Sequence, residues 1–279
     1  MRIALLGDIV GAPGRQAAAA AVPWLRQEKK ADCIIANSEN TADGSGLTAD
    51  LYKRLKEAGI DGQTLGDHAF RRAPIRAALE SATDLIRPAN LPAQAWGRGH
   101  MKLEKAGFPP VFVMTVIGRI FMNNMHGDDP FECVERWLKT LPPRAIALVE
   151  IHAEVTSEKA AMGWHFNGRV AAVYGTHTHV PTADERILSK PGADDSIPGA
   201  ANPFPGGTAF VTDLGMCGPL DSILGRRADR VVKQMTTGIP AAFDVAFGRP
   251  VAQGVIVEVD DKSGLATGIE RFSLEVKAA

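Results

Sequence analysis

Cysteine is scarce in this chain: Cys33, Cys133 and Cys217 are 3 among 279 residues, and no CxxC pair occurs. That pattern excludes a disulfide framework and a thiolate zinc site, and it matches reduced thiols in a cytosolic protein. Excess positive charge is missing too. With Lys+Arg 31 against Asp+Glu 32 the formal net charge is -1, so no field is available to hold a polyanionic backbone, and duplex DNA is not an expected partner. No apolar run approaches the ~20 residues of a membrane helix, so no membrane partner is expected either. The opening run Ile3-Ala4-Leu5-Leu6 is cut by Gly7-Asp8, too early for a secretory signal. Internal repeats, low-complexity tracts and linkers are likewise absent, which leaves one domain over residues 1–279 as the expected organisation.

What the chain does have is 45% hydrophobic residues, much of it in short runs: Ile3 to Leu6, Cys33 to Ala36, Val111 to Ile117, Ala145 to Ile151, Val170 to Tyr174 and Ala209 to Thr212. Such runs suit strands buried on both faces, and stretches of helical spacing lie between several of them. A helix is expected to start after Pro13 and to run through Ala17-Ala18-Ala19-Ala20-Ala21 toward Lys29-Lys30. Thr48 reads as the N-cap of a second helix through Leu51, Leu55 and Ala58, with Gly59 as its stop. Further helices are expected at Pro74 to Glu80, Asp129 to Leu141 and Ser157 to Met162. Val251 to Asp260 and Ala266 to Val276 read as a β-hairpin around Asp261-Lys262-Ser263-Gly264. Ser189 to Gly207 is rich in Pro, Gly, Ala and Asp and has no periodicity, so it reads as a long surface loop bordering a site. The class is α/β, a layered sheet with helices outside.

The polar residues fall at informative places. Asp8 follows the first apolar run, and Glu39-Asn40 follows Cys33 to Ser38. Asp67-His68 follows Gly62 to Gly66, His152 ends the run Ala145 to Ile151, and His177-Thr178-His179 follows Val170 to Thr176. Open α/β sheets place their ligands at the carboxyl ends of strands, and core packing does not explain five such ends. Oxygen and imidazole donors without thiolate suit Mn, Fe or Zn better than Ca or Mg. So many donors can hold two ions, and a pair ~3.5–4 Å apart is a standard device for hydrolysing phosphate esters. In an extended segment His177 and His179 would point the same way and could serve one ion each. Asp213, at its own strand end, is a candidate to hold a ring nitrogen of one of these histidines.

Gly7-Asp8, Asn37-Ser38-Glu39-Asn40, Gly66-Asp67-His68, Ile151-His152 and Gly175-Thr176-His177-Thr178-His179 follow, in order, the blocks of the calcineurin-like metallophosphoesterases. More closely, the chain resembles the bacterial YmdB-like phosphodiesterases, nearly end to end. The likeness includes Gly7-Asp8-Ile9-Val10-Gly11, Arg87-Pro88-Ala89-Asn90 and His152-Ala153-Glu154-Val155-Thr156-Ser157-Glu158-Lys159. This resemblance implies a four-layered αββα sandwich and hydrolysis of small cyclic nucleotides, notably 2',3'-cyclic ones, with 3',5'-cyclic ones as the alternative. It also implies one metal on Asp8, Glu39, Asn40 and His179, and a second on Glu39, Asp67, His152 and His177. Glu39 would bridge them and His68 would be the catalytic histidine. Two departures stand out: Val10 occupies the place where the wider superfamily has a histidine after Asp-x, and Asp67 replaces the asparagine of its Gly-Asn-His motif. An extra carboxylate should tighten metal binding and make a bound water less acidic.

Other readings remain beside this one. A phosphomonoesterase, whether nucleotidase or protein phosphatase, would share the metal chemistry. A non-catalytic nucleotide- or RNA-binding regulator would keep the blocks without turnover, and a purely structural metal site would have no need of His68. Taken alone, Asp8 is a turn cap, Asn40 a turn residue bonding its own backbone and His68 a structural histidine. His100, His126 and His165 sit in no matching block and read as surface or loop residues. Gly11-Ala12-Pro13-Gly14 lacks the Lys and Ser/Thr of a phosphate-binding P-loop, and Cys217 has no identifiable base and reads as buried. A homo-oligomer is left open.

Overall fold

The computed structural model describes residues 1–188 and 207–276. The stretch read as a long loop, Ser189 to Gly207, lies outside the described residues except for Gly207. Two sheets carry the fold. In the first, β1 (Arg2–Leu6), β3 (Cys33–Asn37), β4 (Gly62–Thr64) and β5 (Leu85–Ile86) run parallel. On the other side of β1 lies β13 (Pro250–Val259), antiparallel, which pairs in turn with β14 (Ala266–Glu275) and β12 (Met216–Pro219); β12 carries β2 (Asp8–Ile9) at the edge. In the second sheet β7 (Val111–Ile117), β8 (Ile146–His152), β9 (Ala172–Thr176) and β11 (Ala209–Val211) are parallel, and β6 (His100–Leu103) and β10 (Arg186–Ile187) close the edges antiparallel.

Alternation along each strand builds the layers. Ile3, Leu5 and Ile35 point between the sheets and meet Val113, Leu148, Tyr174 and Val211 of the other sheet. Ala4, Leu6, Ile34 and Ala36 point outward onto α1 (Gly11–Gln27) and α2 (Ala49–Glu57). Met114, Val149, Ile151 and Val173 point the opposite way, onto α4 (Pro130–Leu138) and α5 (Thr156–His165). The result is helix, sheet, sheet, helix, as the family resemblance implied. Strands with two buried faces need apolar residues at every position, which is why the runs in the sequence are unbroken rather than alternating.

Several boundaries differ from the sequence reading. The first helix begins at Gly11 rather than after Pro13, because Gly11 takes φ 60 and turns the chain straight from β2 into the helix. It ends at Gln27, short of Lys29-Lys30. The expected Pro74 to Glu80 helix is a 3-10 turn (Ala73–Ile75) followed by α3 (Arg76–Ser81). The Asp129 helix is capped by Asp129, whose carboxylate accepts from the Phe131 and Glu132 amides, and stops at Leu138, before Pro142-Pro143. The strand expected at Val170 to Tyr174 lies two residues later, and α6 (Ala228–Thr237) was not foreseen. Thr48 does cap α2, accepting from the Leu51 amide at 3.3 Å, and Gly59 turns left-handed just past its end.

Candidate metal centre

Both sets of parallel strands direct their carboxyl ends to one edge of the sandwich, so residues distant in sequence meet there. Asp8 opens β2 just after β1; Glu39 and Asn40 follow β3; Asp67 and His68 follow β4. From the second sheet, His152 is the last residue of β8, and His177 and His179 follow β9. One oxygen or nitrogen each from Glu39, Asp67, His152 and His177 lie within 4.8 Å of one another. His152 Nε2 is 3.1 Å from Asp67 Oδ1 and 3.3 Å from Glu39 Oε1, and His177 Nδ1 is 3.1 Å from His152 Nε2. Beside this group, His179 Nε2 lies 3.6 Å from Asp8 Oδ1 and 3.1 Å from Asn40 Nδ2, which also donates to Glu39 Oε1. Gly66 is required by space here: a Cβ at that position would lie 2.2 Å from His152 Nε2.

His177 and His179 do reach the same site, but not by strand alternation. β9 ends at Thr176, and the two histidines adopt φ 95 and φ 61, left-handed values that cost of order 1–3 kcal/mol for a side-chain-bearing residue. Two buried carboxylates hold this turn. The His177 amide donates to Asp8 Oδ2 at 3.2 Å, and the Thr178 amide and hydroxyl donate to Asp213 Oδ2 at 3.2 and 2.8 Å. Asp213 is itself paired with Lys159 Nζ at 2.8 Å, with both side chains fully buried. Its hydrogen bonds therefore go to Lys159, Thr178 and Gly215 rather than to an imidazole nitrogen, which corrects the role expected for it.

The imidazoles have other partners that the sequence reading did not pick out. His152 Nδ1 meets Thr176 Oγ1 at 2.9 Å, His177 Nε2 meets Glu154 Oε2 at 3.2 Å, and His179 Nδ1 meets the Leu224 carbonyl at 3.0 Å. Asn124 donates to Asp67 Oδ2 at 3.0 Å. Thr176 and Glu154 sit inside the recognised blocks and could have been proposed from their place beside a ligand. Leu224 acts through its backbone and Asn124 comes from a loop, so no side-chain signal pointed to either.

His68 borders the group. Its amide donates to Glu39 Oε2 at 3.0 Å, and its Nδ1 is 2.8 Å from Asn40 Oδ1 and 3.4 Å from Glu39 Oε1. Asn40 thus turns its oxygen to His68 and its nitrogen toward His179. His100 and His126 are exposed, and His165 pairs with Glu135 far from the site. Cys33, Cys133 and Cys217 are buried and unpaired, and burial pushes the Cys217 thiol up to about 12, so it is no nucleophile.

Three carboxylates in this small volume are almost completely buried: Asp8 at 0%, Glu39 at 1% and Asp67 at 3% exposure. Burial alone would protonate them, yet the neighbouring imidazoles outweigh it. His179 beside Asp8, and His152 beside Glu39 and Asp67, hold all three carboxyls below the usual range. Reciprocally, burial would lower the imidazoles, but Glu39 raises His152 well above the usual range and Asp8 raises His179. The cluster thus demands positive charge. Its donor set fits a metal ion for two further reasons. The two nitrogens His152 Nε2 and His177 Nδ1 face each other across 3.1 Å, an arrangement that needs a proton or a shared cation between them, and among the described residues no donor lies within hydrogen-bond distance of the buried Asp8 Oδ1.

The chain is similar to known proteins over nearly its whole length. The sequence profile of the "YmdB-like protein" family matches residues 4–272. A protein of Bacillus subtilis (strain 168) named 2',3'-cyclic-nucleotide 2'-phosphodiesterase is 39% identical over 273 residues, 98% of this chain and 96% of that protein. The crystal structure of a hypothetical protein from Thermus thermophilus superposes with TM-score 0.85 at 35% identity, covering 99% of both chains. A Mycoplasma pneumoniae protein described as a novel phosphatase superposes with TM-score 0.87 at 30% identity, covering 99% of this chain and 93% of that one.

Proposed function

The chain belongs to the YmdB-like family, and from that premise we propose that it is a metal-dependent phosphodiesterase of 2',3'-cyclic nucleotides. The observation that carries this reading is the convergence of Glu39, Asp67, His152 and His177 on one buried point, with Asp8 and His179 adjoining it. Glu39, Asp67, His152 and His177 would hold one ion, and Asp8, Glu39, Asn40 and His179 a second. Glu39 is the member common to both sets, and its two oxygens already face different neighbours. Asn40 turns its nitrogen to Glu39 and His179 and its oxygen to His68, so to hold an ion through its oxygen its amide would turn over and give up the His68 contact. The nitrogen and oxygen donors, free of thiolate, suit Mn, Fe or Zn. Bound ions supply Lewis-acid polarisation of the phosphoryl oxygens and an acidified water as nucleophile.

The chain's own groups do the rest. His177 and His179 are locked on either side of Thr178, so their rings are held rather than free to search. His68 sits at the rim with its Nδ1 against Asn40 and Glu39; burial disfavours its charge, but Glu39 more than compensates and raises its pKa. Glu39 thus favours the protonated ring, and as general acid His68 would deliver a proton to the leaving oxygen, a role worth ~10²–10⁴-fold. Cleavage of a 2',3'-cyclic phosphate leaves a ribose alkoxide, a poor leaving group that needs such a proton.

The three buried, reduced cysteines support a cytoplasmic setting, and the core shared between the two sheets supports reading residues 1–279 as one catalytic domain. Protein stripped of metal and reloaded with Mn tests the activity, with 2',3'-cyclic AMP and bis-p-nitrophenyl phosphate as parallel substrates. Hydrolysis of both, absent from the stripped sample, is the expected result. Activity on the generic diester alone would reject the cyclic nucleotide, and silence on both with metal bound would reject the phosphodiesterase. The likeness to a protein described as a phosphatase favours a second reading, monoester hydrolysis, and kcat/KM for a diester and a monoester of the same leaving group separates the two.

A further inference from the structure

We propose that Glu150 is the positioning residue that decides which imidazole nitrogen of His152 faces the metal centre, and that it acts through the hydroxyl of Thr176. This rests on the reading that His152 Nε2 is a metal-binding atom.

Glu150 lies two residues before His152 on β8, on the same side of the strand, and is completely buried. The remainder of β8 before His152 is apolar, so a carboxyl here is not explained by packing. Among the described residues it forms no ion pair with a lysine or arginine. Its Oε1 is 2.7 Å from Asn37 Nδ2 and 2.7 Å from Thr176 Oγ1, the Thr64 hydroxyl also stabilises the carboxylate, and no polar atom of the described residues lies within hydrogen-bond distance of Oε2. The direction of each bond follows by elimination. Asn37 Oδ1 accepts from the Glu39 amide at 3.1 Å, which fixes the Asn37 amide and leaves its NH2 group to donate to Glu150. Oε1 is therefore an acceptor whether or not the carboxyl is ionised, since any proton on it would sit on Oε2.

A threonine hydroxyl has one hydrogen. Thr176 gives it to Glu150, so toward His152 Nδ1, 2.9 Å away, its oxygen can only accept. Nδ1 must then carry a hydrogen in every state of the ring, so Nε2, which faces Glu39 and Asp67, is the nitrogen that exchanges its proton for a metal ion. Asn37 Nδ2, 3.5 Å from Nδ1, is itself a donor and offers no competing acceptor. The contrast with the other two histidines shows why a carboxyl is needed. His177 meets a carboxylate at Glu154 and His179 a carbonyl at Leu224, acceptors that set a tautomer unaided. A hydroxyl can donate or accept, so beside His152 it sets nothing until a second acceptor takes its hydrogen.

The test uses the full chain loaded with zinc, labelled with 15N-imidazole histidine and followed by long-range 1H–15N correlation, together with the zinc Kd from a competing chelator. Wild type is expected to show His152 protonated at Nδ1 and shifted by zinc at Nε2. Thr176→Val and Glu150→Met are expected to weaken zinc binding about 10–100-fold, the usual cost of losing such a partner, and Glu150→Gln, which keeps the acceptor oxygen, to bind close to wild type. A wild-type spectrum with Nδ1 unprotonated or metal-bound would overturn the proposal without recourse to any variant. So would a Glu150→Met protein with unchanged zinc Kd and unchanged His152 resonances. Wild-type protein that binds zinc with no shift at His152, or binds none, would instead overturn the metal assignment on which the proposal rests.

Discussion

Replacing Lys159 by methionine should destabilise the protein far more than its distance from the substrate suggests. Lys159 Nζ lies 2.8 Å from Asp213 Oδ2, and both side chains are 0% exposed. Methionine fills much of the same volume but leaves the Asp213 carboxylate buried without its counter-charge. Its remaining donors are the Thr178 amide and hydroxyl and the Gly215 amide, which are polar but uncharged. Breaking one side of a buried pair in this way costs about 3–5 kcal/mol, a large fraction of the ~5–15 kcal/mol that holds a folded domain. Urea unfolding with linear extrapolation measures the loss. The double variant Lys159→Met with Asp213→Asn removes the charge as well as its partner and should recover a large part of it, giving a positive coupling in a double-mutant cycle. Because Asp213 holds the turn between His177 and His179, Lys159→Met should also weaken metal binding under conditions where it remains folded. A single variant within about 1 kcal/mol of wild type, or a double variant as unstable as the sum of the singles, would refute the argument that this pair is an interdependent buried unit.

His68→Ala should keep its metal content yet lose ~10²–10⁴-fold in kcat on 2',3'-cyclic AMP and much less on bis-p-nitrophenyl phosphate, whose leaving group needs no proton; equal losses on both substrates would remove the acid role. Gly66→Ala should displace the His152 ring, because the new Cβ would lie 2.2 Å from Nε2; metal analysis after dialysis should show a substoichiometric protein that is still folded by circular dichroism. At the other end of the molecule, the Arg169 hydrogen bonds to Glu135 outweigh burial and hold its carboxyl down at about 2. A depressed carboxyl contributes stability above its unfolded pKa of about 4.5 that is lost as pH falls toward 2. The pair is roughly one-third exposed, so after allowance for solvent screening Glu135→Gln should cost only about 1 kcal/mol at pH 7, and its difference from wild type in urea titrations should shrink between pH 4.5 and 2. A difference independent of pH would show that the carboxylate charge is not what matters.

Much of this protein was legible before any coordinates. The apolar runs became strands because two buried faces leave no position for a polar side chain, and the Asp260 to Ala266 connection, with Gly264 at φ 74, made its hairpin as local turn chemistry required. The placement of Asp8, Glu39, His152, His177 and His179 at or just after the ends of apolar runs, and of Asp67 after Gly62 to Gly66, was also a local signal, since strand ends are where chains of this class present polar groups. What stayed hidden depends on contacts between distant segments. The short strands β2, β5, β10 and β12 carry too few residues for a periodicity and exist because a neighbouring strand pairs with them. Helix α6 buries only Val231 and leaves Val232 and Met235 exposed, so it was not foreseen, although Asp229 in its first turn and Gly238 just past its end are ordinary helix-end residues. The left-handed turn through His177 and His179 was invisible for the same reason: it runs against the preference of the residues themselves and is imposed by Asp8 of one sheet and Asp213, backed by Lys159 of a helix. Local preference and burial pattern are properties of the chain alone, and they determined the longer strands, the Thr48 and Asp129 caps and the edge where the donors gather. The direction of each imidazole, the buried pair beneath them and the chain of hydrogen bonds from Asn37 through Glu150 and Thr176 to His152 are properties of segments brought together, because a hydrogen bond between residues 113 positions apart, such as that from Asn37 to Glu150, leaves no trace in either neighbourhood.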